Sequence, residues 1–210
     1  MIEFPAVTAI HRNLPKEAFY KHLSLTKVLK EKFVSDVKKI AIENSFTKEN
    51  LHLMTETAIE EILLLSISLK KQEFDGKVIE AIVRQNKHKL VFLLCFADKQ
   101  QLAIYHTKLY RTPWMNREEI TLNLQGTTLS EIWNAFLEQI ALSEERARRT
   151  NTLPIEVRLS VQDQILKLES QIKQTENAMW KEPQPKKKFE LHTRLREYQQ
   201  KIEDLKDGKA

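Results

Sequence analysis

The segment YHTKLYRTPWMNR, Tyr105 to Arg117, sets Tyr105, Tyr110 and Trp114 among His106, Lys108, Arg111 and Arg117. Aromatic rings offer surfaces on which bases stack, and interleaved cations neutralise phosphates, the two contributions that single-stranded nucleic-acid binding needs. Two further basic clusters extend the pattern: Arg146, Arg148 and Arg149 in EERARRTN, and Lys186, Lys187 and Lys188 in MWKEPQPKKKFEL. Structural explanations compete with this reading. Strand aromatics usually pack a core, and arginines near a helix C-terminus complement its dipole. The lysine run resists that explanation, because cations at the start of a helix oppose its dipole.

Other chemistries find less to work with. A metal-dependent nuclease holds its ion with acidic residues on adjacent strands and orients water with a nearby lysine. IEEILLLSISLKK offers Glu60, Glu61 and Lys70, but Ser68 stands where the acidic partner of Lys70 belongs. The histidines, at 11, 22, 52, 88, 106 and 192, show no HxxxH or HExxH spacing, so no metal site is expected. No GxSxG elbow occurs, and the isolated Gly76 and Gly126 leave no phosphate-binding loop. The single cysteine, Cys95, forbids an intrachain disulfide and reads as a small core residue. No catalytic residue and no cofactor are expected, and a non-enzymatic protein is the simpler reading.

These residues need elements to hold them. After Leu14 and Pro15, Phe19, Leu23, Leu29, Phe33, Val37 and Ile40 recur at helical spacing, which predicts a helix with a break around Ser24 to Lys27. Ile62 to Leu69 reads as a buried strand, and FDGKVIEAIVRQN as a short helix facing the core with Val78, Ile79, Ile82 and Val83. KLVFLLCFADKQQLAIYHTKLYR predicts two strands joined at Ala97 to Gln100. Alternation from Ile120 to Leu124 predicts a fourth strand ending at Gly126. A helix follows, with Ser130 as cap and Ile132, Phe136, Leu137 and Ile140 on one face. The expected class is α+β, a mixed or antiparallel sheet of about four strands packed with helices, over residues 1–150.

From 155 to 210 the pattern changes. Val161, Ile165, Leu168 and Ile172, then Leu191, Leu195, Tyr198, Ile202 and Leu205, follow alternating four-and-three steps, a heptad seam in two pieces. Pro183 and Pro185 interrupt it. The expectation is an antiparallel coiled-coil hairpin turning near 181–188, its arms paired within one chain or between two copies.

Hydrophobic residues make up 41% of the chain and charged ones 30%, with 3 glycines, which suits a helix-rich globular protein. A net charge of +5 biases it mildly toward anionic partners. The start, MIEFPAVTAI, lacks a basic and then apolar leader, and the longest apolar runs are too short to span a bilayer, so a cytoplasmic protein without a membrane partner is expected.

The basic stretch LKEKFVSDVKKIAIENSFTKENLHL, the segment from Ile59 to Phe96, QQLAIYHTK, and Leu168 to Leu205 with MWKEPQPKKKFEL at its middle resemble, in order, a bacterial and archaeal domain of unknown function. The resemblance spans Leu14 to Leu205. It implies genes placed beside SWI/SNF-like helicases and DNA methyltransferases in restriction and phage-defence loci. The resulting expectation is a non-enzymatic accessory subunit whose partner is a helicase or methyltransferase of the same locus, with DNA as a further partner. A stand-alone single-strand binding protein and a metal nuclease are the alternatives.

Overall fold

The computed structural model describes residues 2–15, 25–54, 58–142 and 153–207. Two compact units divide the chain, Met1–Ala147 and Arg148–Ala210.

In the first unit, strand β1 (Ala9–Leu14) precedes helix α1 (Lys27–Asp36), strand β2 (Val37–Thr47), the one-turn helix α2 (Lys48–Leu51), strand β3 (Glu61–Leu69) and helix α3 (Lys77–Arg84). Strands β4 (Lys89–Phe96), β5 (Lys99–Tyr105), β6 (Leu109–Arg111) and β7 (Met115–Asn116) follow, then helix α4 (Leu129–Ala141). The strands share one mixed sheet in the order β1-β2-β3-β4-β5-β6, with β7 also paired to β5. β3 and β4 are parallel and every other pair is antiparallel. α3 lies in the crossover that a parallel pair requires.

Strand alternation decides what each face of the sheet carries. Leu63, Leu65 and Ile67 of β3 join Phe92 and Leu94 of β4 in one core cluster with Phe33 of α1 and Val78, Ile79 and Ile82 of α3. Each fully buried side chain of this kind stabilises the fold by about 1.5–3 kcal/mol. On the other face α4 buries Ile132, Trp133, Phe136, Leu137 and Ile140. There the Phe46 ring of β2 meets Phe136 at 5.6 Å and Phe4 at 4.9 Å, both edge to face.

The α+β class and the mixed sheet agree with the sequence, but the sheet has seven strands instead of about four. The predicted helix through Val37 and Ile40 ends at Asp36, and those two residues belong to β2. Their helical spacing is a coincidence of a bulged strand, whose register slips between Val37 and Lys39 and again between Ile42 and Asn44. Phe19 and Leu23 lie outside the described residues. Ile120 to Leu124 forms no strand. Ile120 and Leu122 are buried as the alternation suggests, yet the Gln139 amide takes up both the N–H of Asn123, at 2.8 Å, and its carbonyl, at 2.9 Å. That leaves the segment bonded to a helix side chain. The cap of α4 is Thr128, which accepts from Glu131 N at 3.2 Å, in place of Ser130.

The second unit holds helices α5 (Ile155–Lys181) and α6 (Pro185–Lys206). Pro185 sits in the first turn of α6, where its missing donor costs nothing. The helices run side by side in opposite directions: residues 164–171 and 201–205 line one groove, and Lys188 stands over the Trp180 ring. Ile165, Leu195 and Ile202 are buried, while Val161, Leu168, Ile172, Leu191, Tyr198 and Leu205 are half-buried. Among the described residues no helix is long and apolar enough to cross a membrane.

Candidate functional site

The polar half of the sheet begins where β3 changes character. Ile62 and Leu64 are followed on the same face by Ser66 and Ser68, and Cys95 of β4 lies opposite Ser68 in the parallel register. Above these residues opens a cleft of about 610 Å³, walled by His11 of β1, by Lys39 and Glu43 of β2, and by Asp98, Gln100 and Arg117 on the far side. Glu43 is the residue of the second bulge of β2, between Ile42 and Asn44. Its carboxylate accepts from the Ser66 hydroxyl, and its Oε2 lies 2.9 Å from His11 Nδ1.

Burial pushes the Glu43 carboxyl up, but the hydrogen bonds from Ser66 and His11 and the charges of His11 and Lys39 outweigh it, leaving its pKa below the usual 4.5. Stability from a carboxyl lowered in this way is full above the unfolded value and is lost as the pH falls through the folded one. We therefore expect the urea midpoint of the protein to fall on acidification below pH 4.5. E43Q should lose that share of the fall, and equal acid slopes in the two proteins would assign it elsewhere. Burial holds the Cys95 thiol above its ordinary value, so it is protonated at neutral pH.

β6 separates the basic and aromatic segment. Tyr110 is 5% exposed, and Lys108 Nζ sits 5.2 Å from its ring centre. Its neighbour Arg111 points to the opposite face, donating to the Phe74 carbonyl at 3.5 Å, and its guanidinium occupies the space where a Cβ on Gly76 would stand. Trp114 is half-buried against the core cluster under α1 and α3, whereas Arg117 lines the cleft. The structure does not bring these five residues together on one surface. Arg146, Arg148 and Arg149 lie outside the described residues.

The nuclease outline separates as well. Glu61 begins β3, hydrogen-bonded to Ser45 and 3.2 Å from His88, while Lys70 follows its last residue and donates to the Val34 carbonyl. Nine strand steps put them about 30 Å apart, too far for one metal ion. Among the described residues no group of three histidine, cysteine or acidic side chains is placed to hold a metal.

The end of the α5/α6 hairpin keeps its basic character. Trp180 is 77% exposed and Phe189 71%, large rings that the fold leaves uncovered. Lys181, Lys186, Lys187 and Lys188 neighbour them in sequence, all exposed, with Lys188 Nζ 6.0 Å from the Trp180 ring centre. The first turn of α6 contains no acidic residue. Sequence reasoning took in the lysines and passed over both aromatics. The signal was available: Trp180 and Phe189 each fall outside the heptad seam. It also passed over His11, Lys39, Glu43 and the cleft floor, for which Ser66 and Ser68, two residues apart in an apolar strand, were the clue.

No curated protein and no solved structure matches the chain. A family model does, over residues 2–202, and on that match the chain belongs to the family described as domain of unknown function DUF4391.

Proposed function

We propose that this protein is a non-enzymatic accessory subunit of a helicase-containing DNA-processing or defence assembly, and that it touches single-stranded DNA with the end of its helical hairpin. The observation that carries the reading is the exposed pair Trp180 and Phe189 set among four lysines. Exposed rings beside cations supply stacking and phosphate neutralisation in one place, which is how single strands are held without sequence preference. Apart from the Lys188 contact with the Trp180 ring, neither feature serves the hairpin itself. The rings lie outside its seam, and the lysines oppose the dipole of α6.

The resemblance to domains encoded beside helicases and methyltransferases supports the assembly part of the proposal. Since α5 and α6 spend their heptad seam on each other, a partner protein would dock on surfaces outside it. Fluorescence anisotropy with labelled oligothymidylate tests the DNA contact. Affinity should fall steeply with salt, with a log-log slope of about −3 for four neutralised phosphates. Absence of binding at low salt would end the proposal for the hairpin, and failure to capture a neighbouring helicase or methyltransferase would end it for the assembly.

A further inference from the structure

We propose that the cleft above β2, β3 and β4 is a binding site for a nucleotide, a ligand carrying both a phosphate and hydrogen-bond donors. The site belongs wholly to the first unit, and the argument for it is independent of the hairpin. Three observations lead to it.

The first is position. β3 and β4 are central strands of the sheet, and Ser66, Ser68 and Cys95 lie toward the carboxyl ends of this parallel pair. Ligands of open α/β sheets occupy that end. A volume of about 610 Å³ falls within the range of small-molecule sites.

The second is charge. Lys39 and Arg117 enter from opposite walls, and neither side chain has a hydrogen-bond or ion-pair partner among the described residues. Glu43 stays charged and attracts Lys39, but its oxygens are taken up by Ser66 and His11, so it closes no ion pair with either cation. The Asp98 carboxylate remains, and it would repel a bare inorganic anion. A nucleotide suits the whole set: its phosphate meets a cation, and the N–H donors of its base meet Asp98 and the Gln100 amide.

The third is backbone conformation. His11, His52 and Ala97 have positive φ. His52 ends a helix, and Ala97 sits in a two-residue hairpin turn, places where the left-handed region is ordinary. His11, at φ 49 inside β1, takes it up at a β-bulge, a feature over-represented beside active sites. It lies where the pairing of β1 with β2 shifts, and its side chain meets Glu43 on the rim of the cleft. Such conformations gather at binding sites.

Calorimetric titration of the full chain with AMP, GMP, CMP, UMP and pyrophosphate tests the inference. At least one nucleotide should bind more tightly than pyrophosphate, and K39A and R117A should each weaken it about tenfold. D98N should weaken the nucleotide and tighten pyrophosphate, whose repulsion it removes. Lys39 and Arg117 are exposed, so their alanine variants should keep the thermal midpoint of the parent. Replacing Lys186, Lys187 and Lys188 should leave mononucleotide affinity unchanged, which separates this site from the hairpin. No binding at millimolar nucleotide, equal affinity for pyrophosphate, or affinity unaltered in both K39A and R117A would each overturn the proposal. Oligothymidylate with and without a 5′-phosphate identifies the source. Cleft-dependent preference for the phosphorylated strand assigns a DNA end, and preference for the mononucleotide assigns a free ligand.

Discussion

Replacing Lys186, Lys187 and Lys188 together with glutamate is expected to weaken binding to oligothymidylate by at least about a hundredfold, since three charge-assisted phosphate contacts become three repulsions. The same substitution should make the second unit more stable. The three lysines begin α6, whose first turn holds no acidic residue, and acidic groups there gain about 0.3–1 kcal/mol each from the helix dipole. Loss of the Lys188 to Trp180 contact, at 6.0 Å and in solvent, returns about 0.5–1 kcal/mol of that gain. Opposite signs for binding and stability would exclude unfolding as the cause of lost affinity. Glutamine at the three positions is the gentler companion, expected to reduce the salt slope by about 2. Trp180→Ala should cost about 1–3 kcal/mol of binding with little change in the slope, because a stacked ring contributes no charge. If the triple glutamate variant binds as well as the parent, the lysines only keep a turn solvated.

The hairpin was the most legible part of the chain, for a physical reason. Its burial follows from a single period, so Ile165, Leu195 and Ile202 could be placed by counting. Prolines mark its turn directly, through a missing donor and a fixed φ. The sheet was harder. β3 and β4 declare themselves as apolar runs because both faces of a central strand are covered over much of their length. β1, exposed along nearly its whole length, has no such pattern, and β2 imitates a helix because its first bulge, at Lys38, puts Val37 and Ile40 on one face at a helical spacing. The cleft depends on residues from β1, β2 and the turns around β5, separated in sequence by up to about a hundred positions, and only strand order brings them together. Ser66 and Ser68 were the local sign that one half of β3 is uncovered. What stands above them, Lys39 on one wall and Arg117 on the other, required the register.

Phe46 provides the sharpest test of that register. Read as part of a helix, it would share a face with Ile42, four residues earlier, and its loss would resemble any single truncation in an amphipathic surface. In β2 the bulge separates them. Ile42 joins the cluster beneath α1 and α3, and Phe46 passes to the opposite face, where its ring bridges Phe4 and Phe136. It is fully buried, and it ties the N-terminal segment and α4 to the sheet at once. Phe46→Ala should therefore cost about 3–5 kcal/mol, a large part of the stability of a domain this size, and lower the urea midpoint of the first unit accordingly. The double variant with Phe136→Ala should cost less than the sum of the single losses, because the two rings share a contact and the second truncation enlarges a cavity already open. Ile42→Ala combined with Phe136→Ala should be additive, as the two side chains lie on opposite faces of the sheet. Additivity in the first pair and coupling in the second would mean that β2 pairs one residue out of this register, and the cleft residues Lys39 and Glu43 would turn to the other face with it.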